Sequence, residues 1–255
     1  MKLFFALLMS LFCASAFACT IRIVYSDIGS PPHFTGDGET IPENPGIAVE
    51  LVTLAAAKID CKIAWQRLPN RRVQKTMEDG DADAMLMFSF NEERRAYAAY
   101  PMKNDLPDPA LRLAALTYRV YVKDGSALTW DGKQFANVEG PIGVNAGYSV
   151  AKELPRLGVV IDEVPGTLNN LKKLQLGRIA AYVMQEHSAD PVIDEANLAD
   201  IKKLPVPFST KDYYLPFSKK FYGESSSIVL RLWKQIPLVQ KEKGKELVKK
   251  YHELN

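Results

Sequence analysis

Two stretches of the chain carry the same unit: a helix-forming run closed by glycine and turned at once into an apolar strand. Met77-Glu78-Asp79-Gly80 leads into Asp81-Ala82-Asp83-Ala84, and Leu174-Gln175-Leu176-Gly177 leads into Arg178-Ile179-Ala180-Ala181. Glycine accepts the left-handed conformation that ends a helix. A strand that is apolar along its whole length has to be covered on both faces, which requires a sheet flanked by helices. Because the unit occurs in each half of the chain, two α/β lobes are expected.

The surrounding pattern agrees. Ile21-Arg22-Ile23-Val24-Tyr25 alternates as a strand, and a Gly/Pro-rich loop runs from Gly29 to Gly46. A helix is predicted over Ile47–Ile59, a strand over Lys62–Leu68, a short helix over Val73–Glu78 and one apolar strand over Ala82–Phe88. Further strands are expected at Leu113–Val122, Pro141–Val144, Val159–Val164 and Ile179–Met184, with helices at Ser149–Leu157 and Thr167–Leu176. The strand around Tyr214–Ser218 returns the chain to the first lobe, and helices from Ser225 to His252 finish it. The expected division is 1–18 as a leader, 19–116 plus 210–255 as lobe 1, and 117–209 as lobe 2. Ligands of open α/β sheets sit where the carboxyl ends of the strands meet, here between the lobes.

The leader reads as a secretory signal peptide. Met1-Lys2 is a short positive segment, Leu3–Phe12 is apolar, and Ala16-Phe17-Ala18 is a small-x-small cleavage site. The apolar stretch is shorter than the roughly 20 residues that span a bilayer. Cleavage after Ala18 leaves 255 − 18 = 237 residues and places the mature chain in a bacterial periplasm. Cys19 then comes first. Lipidation at that cysteine is the alternative to a soluble chain, but Ala16 stands where a lipoprotein signal has a branched aliphatic residue. Cys13 leaves with the leader, so Cys19 and Cys61 remain. Each begins a predicted strand, and a disulfide closes if those strands lie side by side and parallel. Two separate thiols are the other reading.

Composition narrows the function. The mature chain keeps 32 − 1 = 31 basic residues against 30 acidic ones, a balance that argues against a nucleic-acid partner. His33, His187 and His252 lack metal-ligand spacing, and no nucleophile elbow or phosphate-cradling loop occurs, so no metal and no cofactor are expected. The candidates for chemistry lie at predicted strand ends. Ser89-Phe90-Asn91-Glu92 has the form of a capping box, with Arg94 in the first turn behind it. A serine hydroxyl, free backbone N–H groups and a guanidinium together suit a carboxylate. The competing reading is an ordinary cap with Arg94 paired to Glu93 or Asp105. Gly143–Ser149 repeats the strand–glycine–helix arrangement in lobe 2, with Tyr148 and Ser149 at its end. Gln185 and Glu186 close the strand Ile179–Met184. Tyr25, Phe34, Trp65 and Phe88 are aromatic candidates for the cleft wall.

Taken in order, these segments resemble the family 3 extracellular solute-binding proteins, the polar amino-acid-binding type that serves ABC transporters. Ser30-Pro31-Pro32-His33-Phe34 is similar to the family's aromatic-Pro-Pro-Phe loop, and Gly46–Leu51 to its Gly-Phe-Asp-x-Asp-Leu helix start. Gly80–Ala84 resembles its Gly-x-x-Asp-x turn, and Ser89–Arg94 its Ser-x-Thr-x-x-Arg segment. The resemblance implies a type II periplasmic binding protein fold whose lobes are open, mostly parallel sheets flanked by helices. It also implies a monomer that captures an amino acid or related acid for an ABC-type membrane permease and catalyses nothing. Arg94 and Ser89 would hold the ligand's carboxylate, with Ser149 closing from lobe 2. An acidic residue usually meets the α-ammonium; here Gln185 stands at that position, with Glu186 beside it. Gln185 cannot neutralise an ammonium as a carboxylate can. Ala48 and Ser30 also depart from the family pattern. A dehydratase-like enzyme using Glu186 and His187, and a sensing module without transport, are the alternatives.

Overall fold

The computed structural model describes residues 19–254; the expected signal peptide lies outside the described residues. Two mixed sheets form the framework. The first has five strands in the order Cys61–Leu68, Cys19–Ser26, Ala84–Met85, Phe217–Ser218, Ala98–Ala99. Its first three strands are parallel and the last two antiparallel. The second follows the path Ile161–Val164, Ile142–Asn145, Ala181–Gln185, Ala114–Lys123, Ser209–Tyr214, Phe88–Ser89. It too is parallel over its first three strands and antiparallel beyond them. The antiparallel strands are those in which the chain passes back and forth between the two sheets.

Cys19 and Cys61 are register partners at the start of two parallel strands, and their sulfurs are joined. Residues 19–26 keep Ile21, Ile23 and Tyr25 fully buried, in one core with Val49, Val52 and Ala56 of the helix Ile47–Ala57. Gly46 precedes that helix at φ 113°, and a Cβ there would lie 2.4 Å from the backbone of His33 and Phe34. Its N–H donates to the Tyr251 hydroxyl at 2.8 Å, which ties the C-terminal helix Lys219–Glu253 to the loop. That helix bends at Ser225, whose backbone is non-helical, and buries Val229, Leu232, Trp233 and Ile236 against the first lobe.

The strand expected over Ala82–Phe88 is two strands. Ala84–Met85 pairs with Cys19–Ser26 in the first sheet, while Phe88–Ser89 pairs with Tyr213 and Tyr214 in the second. Met87, at φ 60°, turns the backbone between them. From Ala84 to Phe88 the run is apolar because both sheets bury it, so hydropathy alone could not reveal the break. The expected return strand likewise begins earlier, at Ser209, and is interrupted before Phe217–Ser218.

Candidate functional site

The cleft is built across four neighbouring strands. Ser89 is the register partner of Tyr213, while Gln185 and Ser209 flank Tyr118 from either side. Ser89, Tyr118, Gln185 and Tyr213 line a cavity of about 40 Å³, together with the apolar Phe34, Leu86, Phe88 and Leu116. A groove of about 480 Å³ adjoins it and shares Ser26, Asn70 and Tyr148 with its lining.

Arg94 lines this cavity and is 4% exposed. Its Nη1 donates to the Ser89 carbonyl at 2.8 Å and to Ser89 Oγ at 3.2 Å. Its Nη2 donates to the Gly147 carbonyl at 3.2 Å, and its Nε to Gln74 Oε1 at 3.4 Å. Every one of these acceptors is neutral, and among the described residues Arg94 joins no ion pair. The surface pairing with Glu93 or Asp105 is not made: Glu93 pairs instead with Lys152 at 3.6 Å. The guanidinium also stands over the Phe88 ring, 4.9 Å from its centre.

The helix that carries Arg94 is a single turn, Glu92–Arg95, and its cap differs from the one expected. Asn91, not Ser89, caps it: the Asn91 side chain accepts from the Arg94 N–H at 2.7 Å. Asn91 has an extended backbone, which suits that position. Ser89 remains in its strand, so its hydroxyl is available to the cleft.

Gly147 brings the second lobe to this point. Its N–H donates to Glu163 at 2.7 Å, and its carbonyl accepts from Gln74 Nε2 at 3.0 Å as well as from Arg94. At φ 76°, a Cβ here would come within 3.0 Å of the side chains of Asn70 and Gln74, so glycine allows the close approach. Ser149 follows. Its Oγ accepts from Lys211 Nζ at 2.8 Å and from Ser89 Oγ at 3.3 Å, which leaves its own proton to donate. Lys211 also pairs with Glu153 and stands over the Tyr118 ring. Burial lowers the pKa of the Lys211 ammonium, and Glu153 opposes that effect.

Gln185, 2% exposed, sends its Nε2 to Tyr213 Oη at 2.6 Å and to Tyr118 Oη at 3.2 Å. The two hydroxyls are 2.6 Å apart, so one donates to the other and one phenolic proton remains for another acceptor. Burial pushes the Tyr118, Tyr148 and Tyr213 hydroxyls up, keeping them neutral.

Of the residues singled out from sequence, Arg94, Ser89, Ser149, Gln185 and Tyr148 line one cavity. Tyr25 and Glu186 are elsewhere. Tyr25 is fully buried beneath Phe34, Trp65 and the Arg67 guanidinium. Glu186 pairs with Arg119 at 2.8 Å and with Lys203 at 3.8 Å, away from the cavity lining. Tyr118, Tyr213 and Lys211 escaped the sequence reading. Lys211 and Tyr213 fall on one face of a strand by their two-residue spacing, and the alternation Leu116-Tyr118-Val120 does the same for Tyr118.

A second cross-lobe contact lies nearby. Ser30 Oγ is 3.0 Å from His187 Nε2 and 3.0 Å from Ser188 Oγ. The rings of His33 and His187 meet edge to face, with centres 5.1 Å apart. Burial lowers His33 to about 4 and His187 to about 3, the latter also by the nearby His33 charge.

The arrangement of two sheets around a cleft recurs among solved structures. A histidine kinase sensor domain with similarity to periplasmic binding proteins aligns with a TM-score of 0.71 at 14% identity, covering 91% of this chain and 95% of that one. The chain has the fold of the periplasmic binding proteins. An ancestral arginine-binding protein bound to arginine aligns at 0.68 with 18% identity, over 91% of this chain and 97% of that one. The GluR0 ligand-binding core from Nostoc punctiforme, in complex with L-glutamate, aligns at 0.68 with 16% identity, over 91% and 98%. No family model matches the chain, and no curated protein matches it.

Proposed function

We propose that this periplasmic-binding-protein fold is an exported solute-binding protein that closes its two lobes on a small carboxylate-bearing ligand for delivery to an ABC-type permease. One observation carries the reading: Arg94 is a buried cation between the lobes whose hydrogen-bond partners are all neutral. A buried charge without a counter-ion is costly, and a ligand carboxylate gripped by the guanidinium fork would supply one. Ser89 and Ser149 offer hydroxyls from the two sides of the same point. Solved proteins of this fold hold arginine and L-glutamate, which supports a small-molecule ligand.

The lobes would move as 19–116 plus 210–255 against 117–209. The boundary falls in the paired strands Ala114–Lys123 and Ser209–Tyr214, where Thr117 and Thr210 share a hydrogen bond at 3.0 Å. Closure about a few residues at such a boundary is the usual hinge motion of two-lobed binders. The joined cysteines suit an oxidising compartment, and a Cys19 sulfur bonded to Cys61 has no valence left for a lipid thioether. A soluble periplasmic monomer is part of this proposal.

A sensing role is the second reading, favoured by the likeness to a kinase sensor domain. In that case a separate partner would recognise the closed form. The enzyme reading is less favoured, because its Glu186 pairs with Arg119 and Lys203 and is not part of the cavity lining. A thermal-shift screen of small carboxylic acids and their methyl esters tests the proposal. Free acids should raise the unfolding temperature and their esters should not. Equal shifts from both would contradict it.

A further inference from the structure

If Arg94 holds a carboxylate, as proposed above, the rest of the cavity restricts which acid can enter. The lining contains no carboxylate among the described residues. The acids around it are already committed. Glu153 pairs with Lys211, Glu163 with Arg71 at 2.8 Å and the Gly147 N–H, and Glu186 with Arg119. Asp190 pairs with Lys203, and Asp27 lines the adjoining groove rather than the cavity.

What the cavity offers instead is donors. Arg94 supplies a guanidinium. Ser149 accepts from Lys211 and Ser89 and keeps its own proton to give. Across the cavity lining stands Gln185, a neutral amide whose Nε2 donates to the paired Tyr118 and Tyr213 hydroxyls. One of that pair's two phenolic protons is not used within the pair. An α-ammonium would enter beside the Arg94 cation and meet no anion except the carboxylate of its own molecule. An oxygen on the α-carbon would instead accept from the phenolic pair.

We propose that the cleft takes a small 2-oxo or 2-hydroxy carboxylic acid and rejects the α-amino acid of the same skeleton. Arg94 and Ser149 hold the carboxylate, the Tyr118–Tyr213 pair donates to the α-oxygen, and Phe34, Leu86, Phe88 and Leu116 bound a short apolar chain.

Isothermal titration calorimetry with matched acids tests this. The probes are pyruvate, lactate and alanine, then the 2-oxo, 2-hydroxy and 2-amino acids of the leucine skeleton. The oxygen acids should bind about 100-fold more tightly than their amino counterparts. Gln185→Glu, which places a carboxylate against the phenolic pair, should narrow or reverse that ratio. Tighter binding of the amino acids by the unaltered protein, still lost in Arg94→Ala, would overturn this inference and leave the carboxylate site standing. Binding of the oxygen acids that survives Arg94→Ala would overturn both, and binding of none of the probes would overturn this inference alone.

Discussion

Ser89 Oγ, at the end of a strand reached from the first lobe, donates to Ser149 Oγ of the second lobe at 3.3 Å. The two serines share a point to which Arg94 and Lys211 also donate. Each lobe therefore contributes one hydroxyl and the molecule two cations to the same few ångströms. Ser149→Ala should weaken ligand binding roughly 10-fold while leaving the circular dichroism spectrum unchanged, as expected for one hydrogen bond to a charged group. Unchanged affinity by calorimetry would remove Ser149 from the site.

The His33–His187 contact makes stability depend on pH in a definite direction. Both imidazoles have folded-state values, about 4 and about 3, below the ordinary 6.5. Between those limits the unfolded chain binds more protons than the folded one. The stabilisation is present above pH 6.5 and is lost as pH falls from there toward the folded values. Urea midpoints should therefore drop between about pH 7 and about pH 5. The double variant His33→Gln/His187→Gln should flatten that dependence, and parallel slopes for the two proteins would contradict the assignment.

The Cys19–Cys61 bond closes a long loop, with a sequence separation of 42. Chain-entropy arguments give such a cross-link about 4 kcal/mol of stabilisation. Cys19→Ser/Cys61→Ser should lower the urea unfolding free energy by an amount of that order. The chain processed after Ala18, which retains only these two cysteines, should react with a thiol reagent only after reduction.

Gly46 combines a positive φ with a close approach to neighbouring backbone. Gly46→Ala adds a Cβ in that strained conformation and against the backbone of His33 and Phe34. Destabilisation by more than about 2 kcal/mol is expected in chemical denaturation, because backbone cannot swing aside as the end of a flexible side chain can. A loss below about 0.5 kcal/mol would show that the loop gives way.

Much of the fold, and the grouping of five candidate residues at one cavity, was legible in the sequence. The repeated glycine-closed unit predicts the two parallel cores, and Arg94, Ser89, Ser149, Gln185 and Tyr148 do meet at one cavity. Three things were hidden, each for a physical reason. The break at Met87 lies in a run that is apolar on both sides of it, because two different sheets bury it. The cap at Asn91 competed with an equally good capping pattern two residues earlier, and only the strand pairing of Ser89 with Tyr213 decides between them. Tyr118, Tyr213 and Lys211 sit on strands that alternate ordinarily, and what makes them cleft residues is the juxtaposition of chain segments far apart in sequence. Tyr25 shows the converse: a strand-end aromatic that the fold uses as core.

The proposed ligand capture turns on Arg94. For any carboxylic acid that stabilises the protein, titration calorimetry of Arg94→Ala beside the exposed neighbour variant Arg95→Ala is the direct measurement. Loss of about 100-fold or more in affinity is predicted for Arg94→Ala, with Arg95→Ala unaffected. Equal, undiminished affinity in both variants would contradict the carboxylate site.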